Sequence, residues 1–301
     1  MIPVVLDCDP GHDDVFAMLL AAAHPAIDLR AITTVAGNGP LDKVTTNALR
    51  VCALAGIDVP VAAGLSQPAA GNAPSIHGES ALDGTDLPEP ADLLADEDAV
   101  TLTERLLDKA GPVTIVATGP LTNVAALLRK RPDLRPRVAF MGGSCGRGNW
   151  TPLAEFNIWA DPEAADVVLS SGLEVTMCGL DVTHQATATP DVFERLRAMR
   201  TPIADRMGDL LRFFASTYDE VFGMPDPPVH DPVAVAAVAA PELLRFVDAP
   251  IAVELTGTHT RGATVVDLHG VTGKPANARV ALDLDRAEFW DVMLAAVERL
   301  G

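Results

Sequence analysis

Apolar residues fall along this chain in two alternating kinds of run. The runs at 3–8, 27–37, 59–64, 112–118, 137–143 and 173–179 are short and nearly continuous, and read as strands. Those at 13–24, 40–56, 99–111, 120–132 and 161–172 are longer and rich in Ala and Leu, and read as helices, the first stopped by Pro25. The alternation predicts an α/β fold: an open, mostly parallel twisted sheet with helices on both faces, a Rossmann-like core. Strand-like runs at 250–255, 263–268 and 278–284, then a helix at 285–300, extend the same unit. Residues 1–301 are therefore expected to form a single domain with a C-terminal extension.

Three stretches interrupt the rhythm. Residues 65–97 are rich in Gly, Pro and Ser, residues 143–160 read "GSCGRGNWTPLAEFNIWA", and 180–230 form a helical insertion ending in "GMPDPPVHDP". Long loops in compact domains are usually functional, and ligands of open parallel sheets bind beyond the carboxyl ends of the strands. Active-site loops are accordingly expected at about 65–97, 143–160 and 218–231.

Composition narrows the function. Hydrophobic residues make up 49% of 301, enough for a large core. The net charge of −19 argues against a protein that grips nucleic acid through its phosphates. Cys8, Cys52, Cys145 and Cys178 show no CxxC pairing and read as reduced thiols. The first strand begins too early for a signal peptide, and no run is long and apolar enough for a membrane span. A cytoplasmic protein with no membrane partner is expected.

The chemistry gathers at "DCDPGHDD", where Asp7, Asp9, Asp13 and Asp14 crowd a strand-to-helix turn. An N-cap explains one aspartate here, Asp13 for instance, but not all of them. Converging carboxylates repel unless a cation sits among them, and an all-oxygen set suits Ca²⁺ or Mg²⁺ rather than zinc. His12 reads as a turn residue, not a ligand. Far along the chain, Asp231 precedes Pro232 and an Ala/Val helix. Alone it reads as a cap; beside His230 it also suits a metal ligand next to a proton donor. Between them "GNWTPLAEFN" offers Asn149, Glu155 and Asn157, a set able to bind a polyol. Strand-like alternation would aim Glu155 and Asn157 to one side.

With "AGN" (36–38), "IHGESALDG" (76–84), "ATGPLTNVA" (117–125), "MGG" (141–143) and "VHDP" (229–232), these motifs make the chain resemble the inosine–uridine-preferring nucleoside hydrolases over nearly its whole length. The resemblance implies Ca²⁺-dependent hydrolysis of the N-glycosidic bond of ribonucleosides, purine or pyrimidine, with an inosine- or uridine-type preference, and a homodimer or homotetramer. It implies Asp9, Asp14, Asp231 and the Thr118 carbonyl as metal ligands, with Asp9 also the base that deprotonates the attacking water. It places Asp13, Asn38, Met141, Asn149, Glu155 and Asn157 on the ribose. His77, Phe156 and Tyr218 would lie around the base, with His230 as leaving-group acid and Asp7 orienting the ligands. The physics agrees: bond breaking builds positive charge on the ribosyl ring, which nearby carboxylates stabilise.

Two other readings compete. A Ca²⁺-dependent nucleoside- or ribose-binding protein without turnover would need the same ligands. A Mg²⁺-dependent phosphohydrolase also carries DxD after its first strand. It needs a following Thr and a phosphate-binding Lys, whereas this chain has Pro-Gly there and four lysines in all.

Overall fold

A computed structural model describes residues 1–66, 76–111 and 113–301. Part of the first long connection (67–75), and Pro112 at the start of a predicted strand, lie outside the described residues. The chain opens with β1 (Ile2–Cys8), α1 (His12–Ala23), β2 (Ile27–Thr34), α2 (Leu41–Ala55), β3 (Val61–Ala63), α3 (Ala99–Ala110), β4 (Thr114–Ala117) and α4 (Thr122–Lys130). Then come β5 (Arg137–Met141), α5 (Phe156–Ala160), α6 (Pro162–Leu169), β6 (Val175–Cys178), α7 (Leu180–Thr183), α8 (Pro190–Met199), α9 (Pro202–Phe222) and α10 (Asp231–Ala239). It closes with β7 (Leu244–Ala249), β8 (Ile251–Val253), β9 (Thr264–Val266), β10 (Ala278–Leu284) and α11 (Arg286–Leu300).

Eight of these strands form one sheet in the order β3-β2-β1-β4-β5-β6-β10-β7, parallel except for the antiparallel edge strand β7. β1 pairs with β2 on one side and β4 on the other, so Asp7 lies opposite both Thr33 and Ala117. Strand order reverses at this junction, which opens a crevice beyond the carboxyl ends of β1 and β4. Helices cover both faces, as the alternating pattern predicts. On one face α1 packs against α10 and α11, with Phe16 meeting Trp290 edge-on at 6.2 Å. On the other, α4 packs against α3 and α6. α1 is buried from His12 through Ala21, and α10 from Asp231 through Ala236. Helices apolar on every side belong inside a core, and these two carry aspartates in with them at their N-termini.

The departures from the sequence reading have local causes. Predicted strands run past their last paired residues at 34, 63, 117, 141 and 178; after β2 and β4 the chain leaves the ladder towards Asn38 and Thr118, which line the crevice. β7 was not anticipated: its exposed Arg245 and Asp248 belong to an edge strand with one open side. β8 and β9 pair only with each other, while β10 joins the main sheet. Around Glu155 the expected strand-like alternation is replaced by α5, which Glu155 caps.

Candidate active site

Asp9, Pro10 and Gly11 make the turn between β1 and α1. The helix cap is Gly11, not Asp13, and the carboxylate that returns to it is Asp14, whose Oδ2 accepts from the Gly11 amide at 3.0 Å. Asp14 also accepts from Thr118 Oγ1 at 2.8 Å and Asn38 Nδ2 at 3.2 Å. Asp9 Oδ2 accepts from the Asn38 amide at 2.6 Å, while its Oδ1 is buried without a partner. Gly37 makes this seat possible, since a Cβ there would lie 2.0 Å from Asp9 Oδ2. Asp231 opens α10 one residue after the cap position, which His230 occupies, and the His230 amide donates to Asp13 Oδ2 at 3.2 Å.

Asp13, Asp14 and Asp231 each offer an oxygen within 4.8 Å of the others. Asp9 is not one of these three but lies against the same group, its charge raising the Asp231 carboxyl. The N-termini of α1 and α10 point at this group and favour negative charge there. They do not offset it. Burial, and then the neighbouring carboxylates, push Asp9 and Asp231 well above the usual carboxylate range and Asp13 to about 7. Among the described residues no Lys or Arg lines the cleft above. Buried carboxylates with no counter-charge and an unpartnered oxygen fit a hard cation, and the group is a candidate metal centre.

Thr118 sits at the end of β4. Its amide donates to the Asp7 carbonyl at 2.8 Å, and its own carbonyl accepts from Asn157 Nδ2 at 2.7 Å. Asp7 therefore reaches the site through its backbone. Its carboxylate turns away, accepting from Thr33 Oγ1 at 2.5 Å and Asn123 Nδ2 at 2.8 Å. Asn123 also donates to the Thr34 carbonyl and accepts from the Leu65 amide, tying the ends of β1, β2 and β3 together.

The cleft is about 670 Å³, solvent at its mouth included. Asp13, Asn38, Thr118, Met141, Asn149, Glu155, Asn157 and Asp231 line its polar side. Glu155 is gripped by the amides of Gly143, Asn157 and Ile158, yet burial still holds its carboxyl at about 7. Asn149 Oδ1 takes the Phe156 amide at 3.0 Å. The other side is aromatic: His77, Trp150, Phe156, Phe214, Tyr218 and Phe222. His230 stands between the two. Burial, and then neighbouring His184, push it down to about 3, so its ring is neutral.

Of the residues expected at the site, all but Asp7, Asp9 and Asp14 line this cleft; Asp9 and Asp14 lie beneath it, bonded to Asn38 and Thr118, and the Asp7 carboxylate turns away. The sequence reading left out Phe214 and Phe222. Their spacing of four residues on either side of Tyr218 along α9 was the available signal, and the three rings touch at 5.0 and 4.6 Å. It also left out Thr183, whose hydroxyl contacts Nδ1 of His230, and it took His12 for a turn residue; His12 is instead the buried first residue of α1.

An acid-floored cleft at a topological switch point, amides and carboxylates on one wall and aromatic rings on the other, is the arrangement of an α/β enzyme acting on a polyhydroxylated substrate with a flat apolar part. The family model described as "Inosine-uridine preferring nucleoside hydrolase" matches residues 4–291. The chain is 46% identical over 305 residues to the pyrimidine-specific ribonucleoside hydrolase RihA of Shewanella woodyi, covering 98% of each chain. It is 46% identical to RihA of Escherichia coli over 301 residues, 97% of each. A purine-preferring ribonucleoside hydrolase from Gardnerella vaginalis superposes with a TM-score of 0.92 at 30% identity, covering 99% of this chain and 98% of the other. This chain belongs to the inosine-uridine preferring nucleoside hydrolase family and is a ribonucleoside hydrolase.

Proposed function

We propose that the chain hydrolyses the N-glycosidic bond of pyrimidine ribonucleosides, uridine or cytidine, to ribose and free base with the help of bound Ca²⁺. The observation that carries the base preference is the 46% identity over 98% of both chains to a pyrimidine-specific enzyme, against 30% to a purine-preferring one. Asp9, Asp14, Asp231 and the Thr118 carbonyl would hold the cation. Ca²⁺ held there would supply Lewis acidity for hydroxyl and water oxygens.

The chain's own groups then divide the work. Asp13, Asn38, Met141, Asn149, Glu155 and Asn157 hold the ribose, and their carboxylates favour positive charge as it grows on the ring. Asp9 takes a proton from the attacking water through Oδ1, while the Asn38 amide on Oδ2 fixes the carboxylate. Water oxygen bonds to the anomeric carbon from the face opposite the base, and the electrons of the broken C–N bond leave with the base. His77, Phe156 and Tyr218 surround that base, which takes a proton from the hydrogen-bonded Tyr218–His230 pair; the pair regains a proton from solvent as Asp9 gives its own up, so that neither is left charged. Inversion at the anomeric carbon follows.

Nothing favours the rival readings: binding without turnover has no feature of its own, and the cleft offers no described Lys or Arg to a phosphate. The reading further takes the chain to work in the cytoplasm as a homodimer or homotetramer of single-domain subunits, an expectation from family resemblance that a monomeric mass by light scattering would remove. The deciding experiment is release of reducing sugar from uridine, cytidine, inosine, adenosine and guanosine. Faster release from purine ribosides would reverse the base assignment, and no release from any would end the reading.

A further inference from the structure

Asn47 stands in the middle of α2 with its side chain buried, and the chemistry above makes no use of it. Asparagine is a poor helix former, and a buried amide must be bonded to be tolerated. Its Nδ2 lies 3.2 Å from the carbonyl oxygen of Pro10 and 3.0 Å from that of Ser80. Both partners can only accept, so each of the two amide hydrogens goes to one of them.

The two carbonyls belong to different halves of the site. Pro10 lies in the turn between β1 and α1, flanked by Asp9 and Gly11, and this turn carries the acids. Ser80 lies in the loop that brings His77 to the cleft. Each half is held together on its own. Asp9 and Asp14 have their bonds to Asn38 and Thr118. In the loop, Asp83 Oδ2 accepts from the Glu79 amide at 2.7 Å, and the Asp83 amide donates to the His77 carbonyl at 3.1 Å.

The halves also abut. The His12 amide donates to His77 Nδ1 at 3.2 Å, and a Cβ on Gly11 would fall 2.7 Å from the His77 ring. Lys43 Nζ, at 2.5 Å from the Glu79 carbonyl, and Thr217 Oγ1, at 2.9 Å from the Ile76 carbonyl, fasten the loop to α2 and α9 but not to the turn. Among the described residues, no side chain from outside the two segments except Asn47 hydrogen-bonds both.

We propose that Asn47 is a positioning residue that sets the spacing between the cation–ribose half of the site and the base half, so that an intact nucleoside is seated in both at once. The inference rests on the ribose and base assignments above. A nucleoside joins ribose and base through one short bond, and that bond breaks efficiently only when both ends are held in register. Free ribose occupies one half and does not sense the spacing.

Kinetics of the full-length enzyme test this, on whichever ribonucleoside it cleaves fastest. Asn47→Ala should lower kcat/KM by about 10–10²-fold, as a displacement of roughly 1 Å can. The inhibition constant of ribose should change less than about twofold, because its half keeps its own bonds. A parallel rise in the ribose constant would make Asn47 merely structural and overturn the proposal, and so would an unchanged kcat/KM. In a His77→Ala background, Asn47→Ala should cost less than about twofold, since the loop then has no ring left to misplace. Additive losses, with His77→Ala costly by itself, would overturn the proposal alone. A silent His77→Ala would take down the base assignment and the proposal with it. Should Asn47→Ala not fold, Asn47→Ser, which keeps one donor, goes through the same comparison with the same expected pattern and the same reversals.

Discussion

The hydroxyl of Tyr218 lies 2.8 Å from Nε2 of His230, and Thr183 Oγ1 lies 2.7 Å from its Nδ1. Both ring nitrogens are thus engaged by hydroxyls, and the acid role proposed for His230 would run through this chain of hydrogen bonds. His230→Ala should lower kcat for uridine by about 10²-fold, within the usual reach of a general acid, and barely change it for p-nitrophenyl riboside, whose leaving group needs no proton. Equal losses on both substrates would remove His230 from acid catalysis.

Asp9→Asn should cut turnover by roughly 10²–10⁴, the usual cost of a lost general base. The fold should survive, because an amide oxygen can still accept from Asn38 and a buried like charge is gone. Steady-state kinetics and a thermal melt of the purified variant check both halves. Near-normal kcat would end the role given to Asp9.

Elemental analysis should find Ca²⁺ with the purified enzyme, and chelation should abolish activity until Ca²⁺ is returned. Asp231→Asn should weaken Ca²⁺ binding in calorimetry. Stoichiometric zinc would show that the ligands are misassigned, since the four proposed donors are all oxygens.

The buried carboxyls also set a pH dependence. Burial lifts Asp13 and Glu155 to about 7 and Asp7 to about 6, from ordinary values of 3.8, 4.5 and 3.8. These groups hold protons more tightly folded than unfolded. Their contribution is complete at acid pH and is lost as pH climbs from about 4 towards 7. Metal-free protein should therefore melt several degrees lower at pH 8 than at pH 5, and Ca²⁺ should recover the difference at pH 8. A metal-free melting temperature that rises over this interval would contradict the assignment.

Asn123→Ala should destabilise the fold by about 1–3 kcal/mol, because it strips a donor from buried Asp7 and leaves the Leu65 amide unpaired. Combining it with Asp7→Asn in urea melts should give non-additive losses. Strict additivity would mean that the two side chains do not share a bond.

Much of this was legible in the residues themselves. The alternation of strand and helix runs carries the sheet, because buried strands and helices have different lengths and periods. The crowding at "DCDPGHDD" is visible because like charges at a strand end demand an explanation. His12 shows what was not legible. Its neighbours in sequence are turn formers and acids, and only the folded chain brings His77 and Asp83, 65 and 71 residues away, against its two nitrogens. The capping of α5 by Glu155 was hidden likewise. Its carboxylate is held by the Gly143 amide from the preceding loop, a contact that local alternation does not encode.

The amide of His230 and the carboxylate of Asp13 meet across 217 positions of chain. At synthesis rates of roughly 5–20 residues per second, the first aspartates emerge about ten to forty seconds before their partner does. Throughout that interval the N-terminal acids have no Asp231 beside them, and for most of it no roof of aromatic rings from α9. A ribosome that stalls short of α10 therefore releases a chain without Asp231, one of the proposed cation ligands, and such a polypeptide is expected to be catalytically silent rather than partly active.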